Sequence, residues 1–274
     1  MPQQIRFELP SGPIAALDNG LPAGTGTVLL VPGYTGSKED FQPLLRPLAG
    51  AGLRAVAIDQ RGQYQSAWAR AEAGYQVPAL ADDLLALAEL LDTDGRPLHL
   101  LGHSFGGLVA RQAILSRPGV FADLVLMCSG PAAIGGNRRA LLDSGEPVLA
   151  DGGMQRLWEH IEQQAQADPR YLRPAPALQA FLHERFLATD PVGLRVMGTA
   201  LREEADRTGE LAAAGLPILV LYGEHDDAWP PDVQAEMAGR LAARLAVIPG
   251  AAHSPAVENP AGTAQALLEF WLSS

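Results

Sequence analysis

The apolar run Pro97-Leu98-His99-Leu100-Leu101 passes through Gly102-His103-Ser104-Phe105-Gly106 straight into the helical pattern Leu108 to Leu115. A chain that turns from strand to helix within so few residues needs glycines for the close passage and strains the residue at its apex. The G-x-S-x-G spacing lifts one hydroxyl clear of the strand, which makes Ser104 a candidate nucleophile. A serine could also cap the following helix, but a cap has no use for flanking glycines.

The rest of the chain repeats the strand and helix alternation of a mostly parallel sheet flanked by helices. Residues 4 to 17 read as a leading hairpin turned at Ser11-Gly12, and Thr27 to Val31 and Ala55 to Ile58 as buried strands ending in polar, glycine-containing loops. From Pro78, residues Leu80, Leu84, Leu87 and Leu91 recur at helical spacing, with Asp82 and Asp83 expected at the helix start. Strands resume at Ala122 to Met127 and only again at Pro217 to Tyr222, so residues 131–214 read as a helical insertion between core segments 1–130 and 215–274. Its helical patterns cover Met154 to Gln166, Leu178 to Leu187 and Pro191 to Ala205. Trp158, Tyr171, Phe181, Phe186 and Met197 place large apolar groups in this strandless stretch, as a pocket roof for a small to medium, largely apolar substrate or as its own packing, and Trp229 joins them as a substrate-binding candidate.

Composition narrows the class. The 274 residues are 47% hydrophobic, enough for one large core, and a formal net charge of -11 repels phosphate backbones and anionic membrane surfaces. Nucleic acid is therefore not an expected partner; a small-molecule substrate is. No stretch reaches the roughly 18 apolar residues of a membrane span, and no basic leader precedes an apolar core near the first residue, so the expected location is cytoplasmic. The single cysteine, Cys128, lies in an apolar run and reads as a buried thiol. No His-x-x-x-His, cysteine pair or carboxylate cluster suggests a metal, and Gly24-Thr25-Gly26 lacks the spacing of a dinucleotide loop. Neither metal nor cofactor is expected.

A nucleophilic serine needs a base, and the base an orienting carboxylate. After the strand ending at Tyr222 comes Gly223-Glu224-His225-Asp226-Asp227, and after Ala243 to Ile248 comes Gly250-Ala251-Ala252-His253. Ser104, Asp226 and His253 thus each follow a strand end, in the order nucleophile, acid, base, with Asp227 competing as the acid. Parallel strands bring such ends to one edge.

With its elbow, its G-x-x-D and its G-x-x-H, the chain resembles a serine hydrolase of the α/β-hydrolase superfamily, with a helical cap inserted after strand 6. Asp59-Gln60-Arg61-Gly62-Gln63-Tyr64-Gln65-Ser66 is similar to the D-x-R-G-x-G-x-S loop of that superfamily, with Tyr64 in place of its second glycine. The resemblance implies an oxyanion hole made by the backbone N–H groups of Phe105 and Tyr34, the latter in a loop that carries Pro32-Gly33 where many relatives have His-Gly. It also implies an esterase or lipase-like activity that proceeds through an acyl-enzyme, with no cofactor. Carbon–carbon hydrolysis of a vinylogous diketone, lactone hydrolysis and a non-catalytic ligand-binding role stay open. Activity is expected to fall on the acid side of neutrality, because a protonated histidine is no base. His103 and His225 are expected to pack around or line the pocket, and His99 to sit in the core or at the sheet end. Arg138-Arg139 is either a carboxylate grip or a solvated turn.

Overall fold

A computed structural model describes residues 2–22, 24–91, 95–167 and 173–272. Strands β1 (Gln3–Leu9) and β2 (Gly12–Asp18) form the leading hairpin. Leu9 pairs with Gly12, which makes Pro10 and Ser11 the turn residues, one position before the expected pair. The remaining strands are β3 (Gly26–Val31), β4 (Leu53–Ile58), β5 (Leu98–His103), β6 (Asp123–Met127), β7 (Ile218–Gly223) and β8 (Arg244–Ile248). They complete one eight-stranded sheet in the order β1-β2-β4-β3-β5-β6-β7-β8. Only the pairings made by β2 are antiparallel; β3 to β8 run parallel. Every residue of β3, β5 and β7 is buried, as expected of strands covered on both faces.

Helices α1 (Gln42–Gly50), α2 (Val77–Leu90), α3 (Phe105–Ser116), α8 (Pro231–Leu241), the single turn α9 (Pro255–Glu258) and α10 (Pro260–Trp271) flank the sheet. α1 packs against α10, and α2 against α3. Leu80, Leu84 and Leu87 of α2 are buried, as their spacing predicts. Asp82 and Asp83 are not helix-start residues, because α2 begins five residues before Asp82, at Val77. Asp83 is instead buried, accepting from Arg61 Nε at 2.9 Å and from Ser11 Oγ at 2.6 Å.

Between β6 and β7 the described residues form helices only: α4 (Gly136–Ala167), α5 (Pro176–Leu187), α6 (Pro191–Glu203) and α7 (Thr208–Ala213). Gly153, with φ 69° and ψ -166°, breaks α4 in two. Leu149, Leu157, Phe186 and Leu194 form a small apolar cluster of their own, against which Tyr34 packs. A main-chain bond from Ile134 N–H to Leu201 O closes this segment on itself, and one from Asp190 N–H to Gly62 O ties it to the loop after β4, both 2.8 Å. Among the described residues no helix is long and apolar enough to cross a membrane.

Candidate active site

One residue, Ser104, makes the whole reversal between β5 and α3, with φ 53° and ψ -120°. For a non-glycine residue this conformation costs on the order of 1 kcal/mol or more, and neighbouring contacts must enforce it. They do. A Cβ on Gly102 would stand 2.3 Å from Gly106 O, and one on Gly106 would stand 2.5 Å from the carbonyls of Val31 and Pro32. Gly107, outside the five-residue motif, is equally required, since its Cβ would meet Ser129 Oγ at 2.3 Å. The Ser104 N–H donates to Met127 O at 2.9 Å, fixing the elbow on β6.

The loops after β7 and β8 meet beside it. Gly223 lets them touch, because a Cβ there would lie 2.0 Å from Ala252 O, and His225 N–H donates to Ala251 O at 2.9 Å. His253 Nε2 lies 2.9 Å from Ser104 Oγ, and His253 Nδ1 lies 2.8 Å from Asp226 Oδ1. Asp226 is buried and also accepts from Ala228 N–H at 2.9 Å and Gln234 Nε2 at 2.8 Å. Burial alone would raise its carboxyl, but the bond to His253 and these further donors hold it below its ordinary value. Asp227 points away to an exposed pair with Arg138, at 2.9 Å, so geometry separates the two adjacent carboxylates. His225 is exposed and lines no cavity, contrary to expectation: only its backbone is used, and its ring has Glu224 at 3.9 Å.

Two glutamines that sequence reading passed over fix the loop after β3. Gln63 Nε2 donates to Gly33 O at 2.7 Å and Tyr34 O at 3.2 Å, and Gln60 Nε2 donates to Pro32 O at 2.9 Å. The two are themselves joined, Gln60 N–H to Gln63 Oε1 at 3.0 Å, and both are buried. Gly33 brings this loop against the nucleophile, since a Cβ there would stand 3.2 Å from Ser104 Cβ. Pro32 therefore gives up an N–H but keeps its carbonyl as an anchor. Phe105 opens α3, where its N–H has no carbonyl of its own helix to bond.

The Asp59 to Ser66 stretch supports these glutamines. Asp59 is fully buried and accepts from Lys38 Nζ at 2.9 Å and Lys38 N–H at 2.8 Å; burial pushes its carboxyl up to about 6 against the pull of Lys38. Ser66 Oγ donates to Asp59 O at 2.7 Å. Tyr64 adopts φ 36°, the reason a glycine suits this position. Its ring turns outward onto α5, edge-on to Phe181 at 5.9 Å, with Lys38 Nζ 4.7 Å from its centre.

His103 is buried behind the base. Its Nε2 lies 2.7 Å from His253 O, so the neutral ring donates there, and burial, helped by the neighbouring His253, lowers its pKa to about 3. With His253 and Cys128 it forms a close trio of metal-ligand types among the described residues. Both nitrogens of His253 are already engaged by Ser104 and Asp226, and burial pushes the Cys128 thiol well up, so the trio does not suit a cation. His99, bonded to Asp123 at 2.6 Å, is a buried sheet-end residue.

A cavity of about 280 Å³ opens onto Ser104 and His253. Of the five substrate-binding candidates, Phe186 lines it and the others do not. Trp158 packs on Phe186 from behind at 5.5 Å, and Phe181 meets Tyr64. Met197 is wholly buried in the core, and Trp229 fills the space over Gly130 while donating to Ala132 O at 3.0 Å. Tyr171 lies outside the described residues. Tyr34 lines the cavity with its ring as well as its backbone loop, and Arg138 also reaches it.

The model of the alpha/beta hydrolase family matches residues 28–266. A protein of Variovorax paradoxus provisionally named carbamate hydrolase RutD is 42% identical over 107 residues, 39% of either chain. The pimeloyl-[acyl-carrier protein] methyl ester esterase of Edwardsiella ictaluri is 28% identical over 90% of this chain and 94% of its own. Among solved structures, a thermophilic esterase from Thermogutta terrifontis is 25% identical, with a TM-score of 0.79 over 99% of this chain and 98% of that one.

Proposed function

We propose that this chain, which belongs to the alpha/beta hydrolase family, hydrolyses a carboxylic ester of a small to medium substrate through an acyl-enzyme on Ser104. The observation that carries the reading is the unbroken line of contacts from Ser104 Oγ through His253 to Asp226, at 2.9 Å and 2.8 Å. On this reading His253 takes the Ser104 proton as Oγ attacks the ester carbonyl, and Asp226 fixes the ring's tautomer and stabilises its charged form. The N–H groups of Tyr34 and Phe105 receive the developing oxyanion. His253 returns the proton to the leaving alcohol, and water then releases the acyl group by the same route. These steps need side-chain proton transfers and water only.

Residues 131–214 act as the cap, since Ile134, Leu142, Leu149, Leu157, Phe186 and Leu201 give the cavity its apolar wall. The esterase names borne by relatives favour an ester over the other bonds that the same machinery can open. Hydrolysis of p-nitrophenyl esters from acetate to palmitate tests the reading. Ser104→Ala and Asp226→Asn are each expected to lower kcat by about 10⁴-fold or more. Undiminished turnover by Ser104→Ala would overturn it.

A further inference from the structure

The cavity wall reverses the charge balance of the chain. A sequence with 31 acidic and 20 basic residues lines this cavity with four arginines, Arg138, Arg185, Arg195 and Arg202, against two carboxylates, Asp40 and Glu146. Each arginine has an acidic partner, but in all four pairs the arginine side chain is the less exposed member. Arg202 is 11% exposed beside Glu146 at 44%, and Arg185 is 11% exposed beside Asp40 at 25%. The side chains of Arg202 and Arg185 are thus largely out of water, which screens them less there.

These arginines also keep donors in reserve. Arg202 uses Nη2 for both Glu146, at 2.7 Å, and Thr199 Oγ1, at 3.2 Å, while its Nη1 stands 3.9 Å from Asp143 Oδ1, beyond hydrogen-bond reach. Arg185 likewise serves Asp40 and Ser37 Oγ through Nη1 alone. A guanidinium carries five N–H groups in a fork that matches a carboxylate. An alkyl chain would gain nothing from them, and a cationic group would be repelled. The same wall includes leucine, isoleucine and phenylalanine side chains, suited to methylene groups.

We propose that the cavity selects monoesters of aliphatic dicarboxylic acids, with the free carboxylate held by Arg202; this rests on the ester-hydrolase reading. The test compares mono-p-nitrophenyl adipate with its neutral counterpart of equal acyl length, p-nitrophenyl hexanoate. The ratio of their kcat/KM values is expected to fall about tenfold in Arg202→Gln, mainly through the KM for adipate. In Glu146→Gln, which removes a competing carboxylate, it is expected to rise. Added salt should depress the adipate reaction selectively. A preference for hexanoate that neither variant alters overturns the proposal. If neither ester is turned over, the hydrolase reading has failed, and titration calorimetry of monomethyl adipate into Ser104→Ala decides the subsite: saturable binding weakened by Arg202→Gln supports it, and no binding overturns it.

Discussion

The two sides of the cavity are held together by different forces. On the sheet side, Gly33, Tyr34, Ser104 and His253 sit on loops leaving parallel strands, and the groups that position them, Gln60, Gln63, Asp226 and Gln234, are all buried. On the helical side, α4, α5 and α6 are joined by a small apolar cluster and by the Arg202–Glu146 pair, and they reach the sheet side through the ion pairs Arg138–Asp227 and Arg185–Asp40, whose carboxylates are the more exposed members. Buried, mutually satisfied hydrogen bonds allow one arrangement, because any other leaves a polar group unpaired. An ion pair with one member in water is fixed less firmly, and the exposed Arg138–Asp227 pair is worth only about 0–1 kcal/mol. The stiff side thus suits atoms that must stay aligned during bond making, and the softer side suits discrimination among substrates.

Apart from Ser104, His253 and Asp226 themselves, the largest effect expected from breaking this contrast is at Gln63. Gln63→Leu removes two donors to the Gly33 and Tyr34 carbonyls and the acceptor for Gln60 N–H. The amide of Tyr34 would lose its fixed aim, and kcat on p-nitrophenyl butyrate should fall by about 10²-fold with KM moved much less. A thermal melt separates this from unfolding, since losing buried hydrogen bonds also costs about 1–3 kcal/mol. A fall in kcat of less than about threefold would mean that the loop holds its shape without the glutamine.

His103 sharpens the contrast through pH. Its folded pKa is lowered from 6.5 to about 3, so between those values the unfolded chain binds a proton that the folded chain does not. Stability then rises with pH across that window and is lost as pH falls below 6.5. From pH 7 to pH 5 this one group should remove roughly 2 kcal/mol. His103→Gln keeps a donor for His253 O but cannot titrate, so its melting temperature should depend less on pH than that of the parent. Equal slopes would place the acid sensitivity elsewhere, for instance outside the sheet-side wall.

How much of this was legible in the sequence follows the same division. Glycines at Gly102 and Gly106, and polar residues a fixed distance past a strand end, are written in order along the chain because backbone geometry demands them. The parallel sheet and the placement of Ser104, Asp226 and His253 could be read from that order. The roles of Gln60 and Gln63 could not: their bonds reach some 30 residues back to β3's loop, and the motif they occupy marks only the glycines and charges around them. Helical periodicity tells which residues are apolar, not which of two apolar surroundings they enter. Met197 is therefore spent on the core, and Trp229, in the loop before α8, on Gly130, while leucines and arginines of ordinary appearance line the cavity. Asp83 illustrates the same limit, a helix residue whose partner Arg61 stands 22 positions earlier.

The smallest expected effect sits where the two sides meet, at the neighbouring carboxylates Asp226 and Asp227. Asp227 is exposed, belongs to the soft side through Arg138, and makes a pair in which both members are about half in water. Asp227→Asn should therefore change stability by less than about 1 kcal/mol and leave kcat on a neutral ester within about twofold. Asp226 is buried, belongs to the stiff side, and has all its bonds inside the protein, so the same chemical change one residue earlier should stop turnover. The pair of variants differs in sequence by one position and in burial almost completely. If Asp227→Asn instead lost activity as Asp226→Asn is expected to, the exposed carboxylate would be acting on His253, and the division into a stiff and a soft wall would fail at its boundary.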